Sequence, residues 1–327
     1  MTGLEGAPAV VALGGGHGLA AALQALRRIT DRPTAVVTVA DDGGSSGRLR
    51  RELGVLPPGD LRMALAALCG DDEWGRTWSD VVQHRFRSEG ELHEHSLGNL
   101  LIVALWELLD DSVSGLDWVA RLLGVQGRVL PMSVAPLDIE AEVTFPGIGP
   151  GAPDELALVR GQVAVATTAG RVRGVRLLPD NPPACPQAVE AVLAADWVVL
   201  GPGSWFTSVL PHLLVPELAA ALRTTSARKL LVLNLSAQPG ETDGFTPAEH
   251  LEVLARHAPD LELDVVLADS AGVTDVVALE VAAELLGAEV ELAALARDDH
   301  PDQHDPDRLA AALRRLFAPA RHPSDRI

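Results

Sequence analysis

Residues 9–21, Ala-Val-Val-Ala-Leu-Gly-Gly-Gly-His-Gly-Leu-Ala-Ala, decide how this chain is read. A short apolar run stops at consecutive glycines, and residues 19–28 continue with helical periodicity. Residues 34–40 are then β-branched and apolar, the pattern of a buried strand. They run into Asp41-Asp42-Gly43-Gly44-Ser45-Ser46-Gly47. Strand, glycine loop, helix, strand is the opening of a parallel βαβ unit.

Working outward, helices are expected over residues 61–68, 74–87, 97–109 and 116–123. Residues 88–95 read as a polar loop. The texture changes near Gly127. Over residues 129–178, short β-branched runs alternate with Pro and Gly, as in 139–145, 162–168 and 172–177. These read as strands of a small inserted β-rich subdomain, about 128–180. The α/β rhythm resumes with a helix at 187–194, a strand at 197–200, a helix at 217–223 and a strand at 229–235. A helix at 247–256 and a strand at 263–267 follow. The last stretch holds a strand near Val290, a charged loop over 297–307 and a helix at 309–317. One α/β domain over 1–327, with this insertion and a C-terminal tail from about 298, accounts for the whole pattern.

The chain has 327 residues, 47% of them hydrophobic, with a formal charge of −19. That apolar share supports a sizeable core. The acidic balance disfavours nucleic acid, which needs a basic patch for its backbone, and an anionic membrane surface. A single small phosphate ligand remains compatible, because helix N-termini and backbone amides bind anions whatever the global charge. Cys69 and Cys185 lie among apolar or proline neighbours and read as buried, reduced thiols. Residues 97–109, the best candidate for a membrane span, are broken by Asn99 and Glu107. The expectation is a soluble, cytoplasmic protein with no membrane insertion; a homo-oligomer is left open.

In open parallel sheets, ligands bind beyond the carboxyl ends of the strands. Four polar loops follow expected strands here. In the first, Gly16 to Ala21 fit G-x-G-x-x-A, and Gly15, Gly16, His17 and Gly18 would bring backbone amides and a helix dipole to a phosphate. A tight strand-to-helix turn explains the same glycines. Asp41 and Asp42 stand near the spacing of a ribose-binding acid, so a nicotinamide-dependent oxidoreductase is a rival reading; capping is the plain one. Gly43, Gly44, Ser45 and Ser46 add amides and hydroxyls, followed by Arg48, Arg50 and Arg51, a set suited to phosphate or a solvated surface loop.

Asp60 reads as a helix N-cap. Arg62 then sits in the first turn, where the dipole repels a cation, which fits an anion or an acid partner; an ordinary surface arginine explains it equally. Asn99 begins a helix beside Gly98, where capping is the default. Gly201, Gly203, Ser204 and Thr207 resemble a second phosphate loop, without the lysine of a Walker A sequence. Asn234 and Gln238 flank a Pro-Gly turn suited to a base or a sugar. His93, Glu94 and His95 lack the further ligands of a closed metal site, and none is assigned. No nucleophile–histidine–acid arrangement is visible, so catalytic residues stay unassigned.

Several segments together resemble the YvcK/CofD-like family: Gly14-Gly15-Gly16-His17-Gly18-Leu19, the string VTVADDGGSSGRLR from Val37, GVLPPGDLR from Gly54, HSLGNL from His95, GPGSWFTSVLPHLLV from Gly201 and QPGETDG from Gln238. The resemblance covers roughly residues 8–270 and fits the YvcK branch better than the phospholactate-transferase branch. It implies a Rossmann-like, mostly parallel sheet flanked by helices. It also implies a cytoplasmic nucleotide-sugar-binding regulator of the UDP-N-acetylglucosamine type, tied to growth on gluconeogenic carbon sources and to cell shape. The other branch implies transfer of 2-phospholactate from a nucleotide-diphosphate-linked donor, with magnesium. Carried over by motif, the ligand loops are Gly15 to Gly18, Asp41 to Ser46, Asp60, Asn99, Gly201 to Ser204 and Thr207. Three departures bear on ligand preference: His17 where Thr is frequent, His212 where Asn is common, and Leu235-Ser236-Ala237 before Gln238.

Overall fold

The computed structural model describes residues 7–147, 154–238 and 240–318. Ten strands are β1 (Val10–Gly14), β2 (Pro33–Val37), β3 (Arg128–Pro131), β4 (Asp138–Phe145), β5 (Glu155–Arg160), β6 (Arg171–Leu178), β7 (Trp197–Leu200), β8 (Arg228–Val232), β9 (Val265–Asp269) and β10 (Glu289–Ala293). Helices α1 (Gly16–Leu26), α2 (Gly44–Leu53), α3 (Gly59–Ala67), α4 (Glu73–Gln83), α5 (Leu97–Leu109) and α6 (Ser112–Leu123) precede the insertion. Then come α7 (Gln162–Ala166), α8 (Pro186–Leu193), α9 (Pro216–Thr224), α10 (Pro247–His257), α11 (Val276–Glu284) and α12 (Pro306–Phe317). An irregular helical segment, Trp205–Val209 continuing as Leu210–Leu214, links β7 to α9.

The main sheet has seven strands in the order β10-β9-β8-β7-β1-β2-β3, every neighbouring pair parallel. β1 is central and buried along its whole length, which is why its sequence is an unbroken apolar run rather than an alternating one. From β1 the chain steps one way to β2; from β7 it steps the other way to β8, β9 and β10. Right-handed crossovers therefore send α1 and α9 to opposite faces. α1 packs on α3 and α12, while α8 packs on α9. The carboxyl ends of β1 and β7 form the switch point of the sheet.

The inserted sheet is antiparallel, in the order β5-β4-β6. β4 alternates as its sequence does, with Ile139, Ala141 and Val143 buried and Glu140 and Glu142 less so.

Three expectations need correction. The run at 129 does not open the insertion: β3 pairs in parallel with β2 and forms the edge of the main sheet. Residues 162–168 hold a helical turn, α7, and not a strand. The glycine-serine run after Asp42 is not a loop throughout. From Gly44 it is the start of α2, closed at Gly54 in the left-handed conformation with φ 68°, where glycine carries no Cβ penalty. Cys69 and Cys185 are both free and buried. Among the described residues no single helix is long and apolar enough to cross a membrane. In the tail, α12 is well formed against α1, and residues 319–327 lie outside the described residues.

Candidate functional site

The loops after β1 and β7 touch. A Cβ built on Gly18 would lie 2.6 Å from the Cα of Gly203, and one on Gly203 would lie 3.5 Å from the carbonyl oxygen of Gly15. The loop after β7 is held by a side chain from the loop after β8. Asn234 accepts a hydrogen bond from the Gly203 amide through Oδ1 (2.9 Å) and donates through Nδ2 to the Gly203 carbonyl (2.8 Å). Its Nδ2 also reaches Gln238 Oε1 at 3.3 Å, and Gln238 Nε2 reaches Ser204 Oγ at 3.4 Å. One carboxamide thus fixes both polar groups of a glycine peptide, which a smaller or purely accepting side chain cannot do.

A cleft of about 650 Å³ opens over these loops. Its floor is Gly15, Gly16, His17 and Gly18 at the start of α1, with Asp60 beside them. One wall is Gly203, Ser204, Asn234, Ser236 and Gln238. A further wall, Arg297, Asp302, Gln303 and His304, follows β10. Gln162, from α7, adds to the lining. The N-terminus of α1 has no side-chain cap, and its first turn has no acid. Helices α4, α6, α10, α11 and α12 are capped by their own Asp or Thr, whereas α2, α3, α5, α7, α8 and α9, like α1, have no side-chain cap. The first-turn amides of α1, with the positive end of the dipole, open onto a polar cleft and suit an anion, with the Asp60 carboxylate already beside the Gly16 amide.

The other candidate anion loop is already filled. Glu241 is 4% exposed, and its Oε1 accepts from the amides of Phe206 (2.7 Å) and Thr207 (2.9 Å). The sequence resembles a second phosphate loop from Gly201 to Thr207, but these two amides are satisfied by the chain's own carboxylate. Gly203 and Ser204 line the cleft; Thr207 is buried behind them, and Gly201 turns the chain with φ 70°.

The candidates after β2 lie deeper. Asp41 accepts from the Gly43 amide at 2.9 Å, and burial raises its pKa. Asp42 accepts from the amide of Val163 in α7 at 3.0 Å. Gly44 opens α2 with φ 46°. Ser45 and Ser46 are buried: Asn99 Nδ2 donates to Ser45 Oγ at 3.1 Å and reaches Ser46 Oγ at 3.5 Å. Ser45 Oγ also meets His95 Nδ1 at 3.0 Å. Arg50 pairs with Asp138, and Arg48 donates to the carbonyls of Glu91 and His93. The arginines after the glycine-serine run therefore hold other loops in place.

Asp60 is not an N-cap; α3 begins one residue earlier, with Pro58 in the cap position. Its Oδ2 is buried without a partner, at 2.5 Å from where a Gly15 Cβ would stand. Burial, then the neighbouring Asp41 charge, pushes its pKa up to about 7, against the Gly16 amide and the Arg62 charge. Arg62 is 4% exposed. Its Nε and Nη1 have no partner, and burial, then the charge of Arg85, lowers its pKa to about 10. The expectation that Arg62 faces an acid has a counterpart here, since Asp60 and Asp41 favour its charged form. Arg62 and Asn99 are buried, while Asp41 and Asp60 are half-buried and Asp60 also lines the cleft.

Sequence reasoning missed Gln162 and the wall at 297–304. The second had a signal: β10 is parallel to its neighbours, so the charged loop after it belongs on the same rim. Asp269 fixes that loop, accepting from the amides of Leu295 (2.6 Å) and Ala296 (3.2 Å).

These features define a doubly wound α/β protein with a polar cleft at its switch point. The chain matches the family described as 2-phospho-L-lactate transferase CofD over residues 10–313. It belongs to that family, in the branch of the YvcK-type gluconeogenesis factors. A Mycobacterium tuberculosis relative is 58% identical over 307 residues, covering 93% of this chain and 89% of its own. A gluconeogenesis factor from Listeria innocua is 37% identical, covering 94% of this chain and 95% of its own. A crystal structure of a UPF0052-family protein from Bacillus halodurans is 32% identical with a TM-score of 0.82, covering 94% of this chain and 98% of that one.

Proposed function

We propose that this chain binds a nucleoside-diphosphate sugar of the UDP-N-acetylglucosamine type in the switch-point cleft, and acts as a cytoplasmic regulator of gluconeogenic growth and cell shape. The observation that carries the reading is the uncapped N-terminus of α1 at the floor of a 650 Å³ polar cleft. A diphosphate is the anion that such a floor favours. On either side stand carboxamides and hydroxyls, Asn234, Gln238, Ser204, Ser236, Gln303 and Gln162, which suit a base and a sugar. Calorimetric titration with UDP-N-acetylglucosamine tests it. Saturable heat at micromolar to millimolar ligand is expected; no heat at millimolar ligand removes the proposal.

A second reading, a CofD-type transferase using magnesium and a nucleotide-diphosphate-linked donor, is favoured by one observation. Asp60 keeps a buried, unpartnered carboxylate oxygen near enough to Asp41 for that charge to raise its pKa. Hard carboxylate oxygens fit magnesium. Asp41 and Asp60 would hold the ion, which would neutralise diphosphate charge. Asp42 has one oxygen committed to α7, where it accepts from the Val163 amide. Mass spectrometry of a deazaflavin acceptor incubated with donor and magnesium decides between the two; an unmodified acceptor counts against transfer.

A further inference from the structure

Asn234, Ser236 and His304 line the cleft from the loops after β8 and β10. The lining also takes in Gln162 from the inserted subdomain, on α7, which meets the loops after β2 and β8. α7, which begins with Gln162, is only five residues long; it packs on β4 and β5 of the insertion and is also held by contacts from outside it. Asp42 Oδ1 accepts from the Val163 amide at 3.0 Å, across 121 residues of sequence. The position before Gln162 is Gly161, with φ 101°, where a Cβ would meet Asp42 Oδ2. A Cβ on Gly43 would stand 2.9 Å from Val163 Cγ2, and one on Gly240 2.7 Å from the Ala166 carbonyl oxygen. The short helix is therefore wedged between two rim loops and capped by a carboxylate from one of them, in the way a local N-cap would act.

We infer that the inserted sheet is the specificity element of the cleft: Gln162 contacts hydroxyls of the sugar beyond the diphosphate, and Asp42 is the positioning residue that holds Gln162 there. The assignment rests on the nucleoside-diphosphate-sugar reading and gives it an orientation. The diphosphate lies over α1, the nucleoside toward the walls after β8 and β10, and the sugar toward the insertion. A carboxamide offers an acceptor and two donors, which match paired hydroxyls. The ribose carries hydroxyls too, so the test separates the two sources.

The experiment compares UDP-N-acetylglucosamine with UDP by calorimetry, for the wild-type protein and for Gln162→Ala, Asp42→Ala and Asp42→Asn. Wild-type protein is expected to bind the sugar nucleotide more tightly than UDP. Gln162→Ala should weaken UDP-N-acetylglucosamine about five- to tenfold, the scale of one lost hydrogen bond, and change UDP less than about twofold. Asp42→Ala should act as Gln162→Ala does. Asp42→Asn should restore discrimination, because its Oδ1 still accepts from the Val163 amide. Melting curves check folding, and if Asp42→Ala fails to fold, Gln162→Ala carries the test. Equal weakening of both ligands by Gln162→Ala overturns the assignment in favour of ribose; unchanged binding of both overturns it outright. Wild-type protein that binds neither ligand removes the underlying reading and the assignment with it.

Discussion

Gly18→Ala is the sharpest probe of how the two glycine loops meet. The new Cβ would stand 2.6 Å from both the Cα of Gly203 and the carbonyl carbon of Pro202. Non-bonded carbons rest at about 3.5–4.0 Å, so the loops must part by about 1 Å. The partner cannot yield cheaply, because it is backbone, and Asn234 grips the Gly203 peptide at both its amide and its carbonyl. Overpacking of this kind costs about 1–3 kcal/mol, and the upper end applies where backbone must move. For a chain of this size the upper end is a fall in melting temperature of about 4 °C. The displacement also tilts the amides at the floor of the cleft, so affinity for a diphosphate ligand should fall at least about tenfold, given how steeply function depends on ångström-scale placement. Gly16→Ala is the control. Gly16 has φ 58° and nothing within 4 Å of its would-be Cβ, so it carries left-handed strain, about 1–2 kcal/mol, with no steric wedge. Thermal melts and ligand titration of both variants read the result. If Gly18→Ala melts within about 1 °C of wild type and binds within about twofold, well inside those costs, the packing argument is wrong.

Glu241→Ala leaves two buried amides, those of Phe206 and Thr207, without an acceptor, at about 1–3 kcal/mol each, whereas Glu241→Gln keeps Oε1 and should cost far less. Urea unfolding measures both; equal losses would show that the capping contact contributes little. His212 is fully buried, with Nε2 at 3.0 Å from the Val36 carbonyl oxygen, and burial lowers its pKa from 6.5 to about 4. The unfolded chain therefore takes up a proton at this site below pH 6.5 that the folded chain refuses until about pH 4. Its contribution is fully favourable above 6.5 and is lost as pH falls from there toward 4. His212→Asn, which keeps a donor without a titrating ring, should flatten that part of the stability profile; an unchanged slope in pH-dependent denaturation would count against it.

The parallel core was legible because buried strands announce themselves as apolar runs. Val10 to Leu13 and Trp197 to Leu200 carry no polar residue and end at glycine. The four strands that precede the polar loops proved parallel, so those loops share a rim. Short elements were harder. β3 is four residues long, and nothing in Arg-Val-Leu-Pro distinguishes a parallel edge strand from the first strand of an antiparallel insert. α7, Gln-Val-Ala-Val-Ala, has the alternation and β-branching of a strand, and contacts distant in sequence, through Asp42 and Gly43, place it as a helix. The start of α2 was hidden by Gly and Ser, poor helix formers, although Gly54 marked its end.

Within the candidate site, the glycines at 15–18 and the side chains of Ser204, Asn234 and Gln238 line the cleft. Ser45, Ser46, Arg62 and Asn99 sit beneath it as buried polar groups. Sequence cannot separate these sets, because depth below a surface depends on how α2, α3 and α5 pack. Glu241 was equally hidden: a carboxylate in a Pro-Gly turn gives no sign that it will fill the amide site of another loop.

The central claim is that the amides opening α1 receive the diphosphate of a nucleotide sugar. A crystal structure of the protein soaked with UDP-N-acetylglucosamine tests it most directly. The account predicts density for both phosphates against the backbone amides of Gly16 to Gly18, beside Gly203. A nucleotide seated instead between Arg171, Arg173 and Phe245, on the far side of the Gly244 turn, would contradict it.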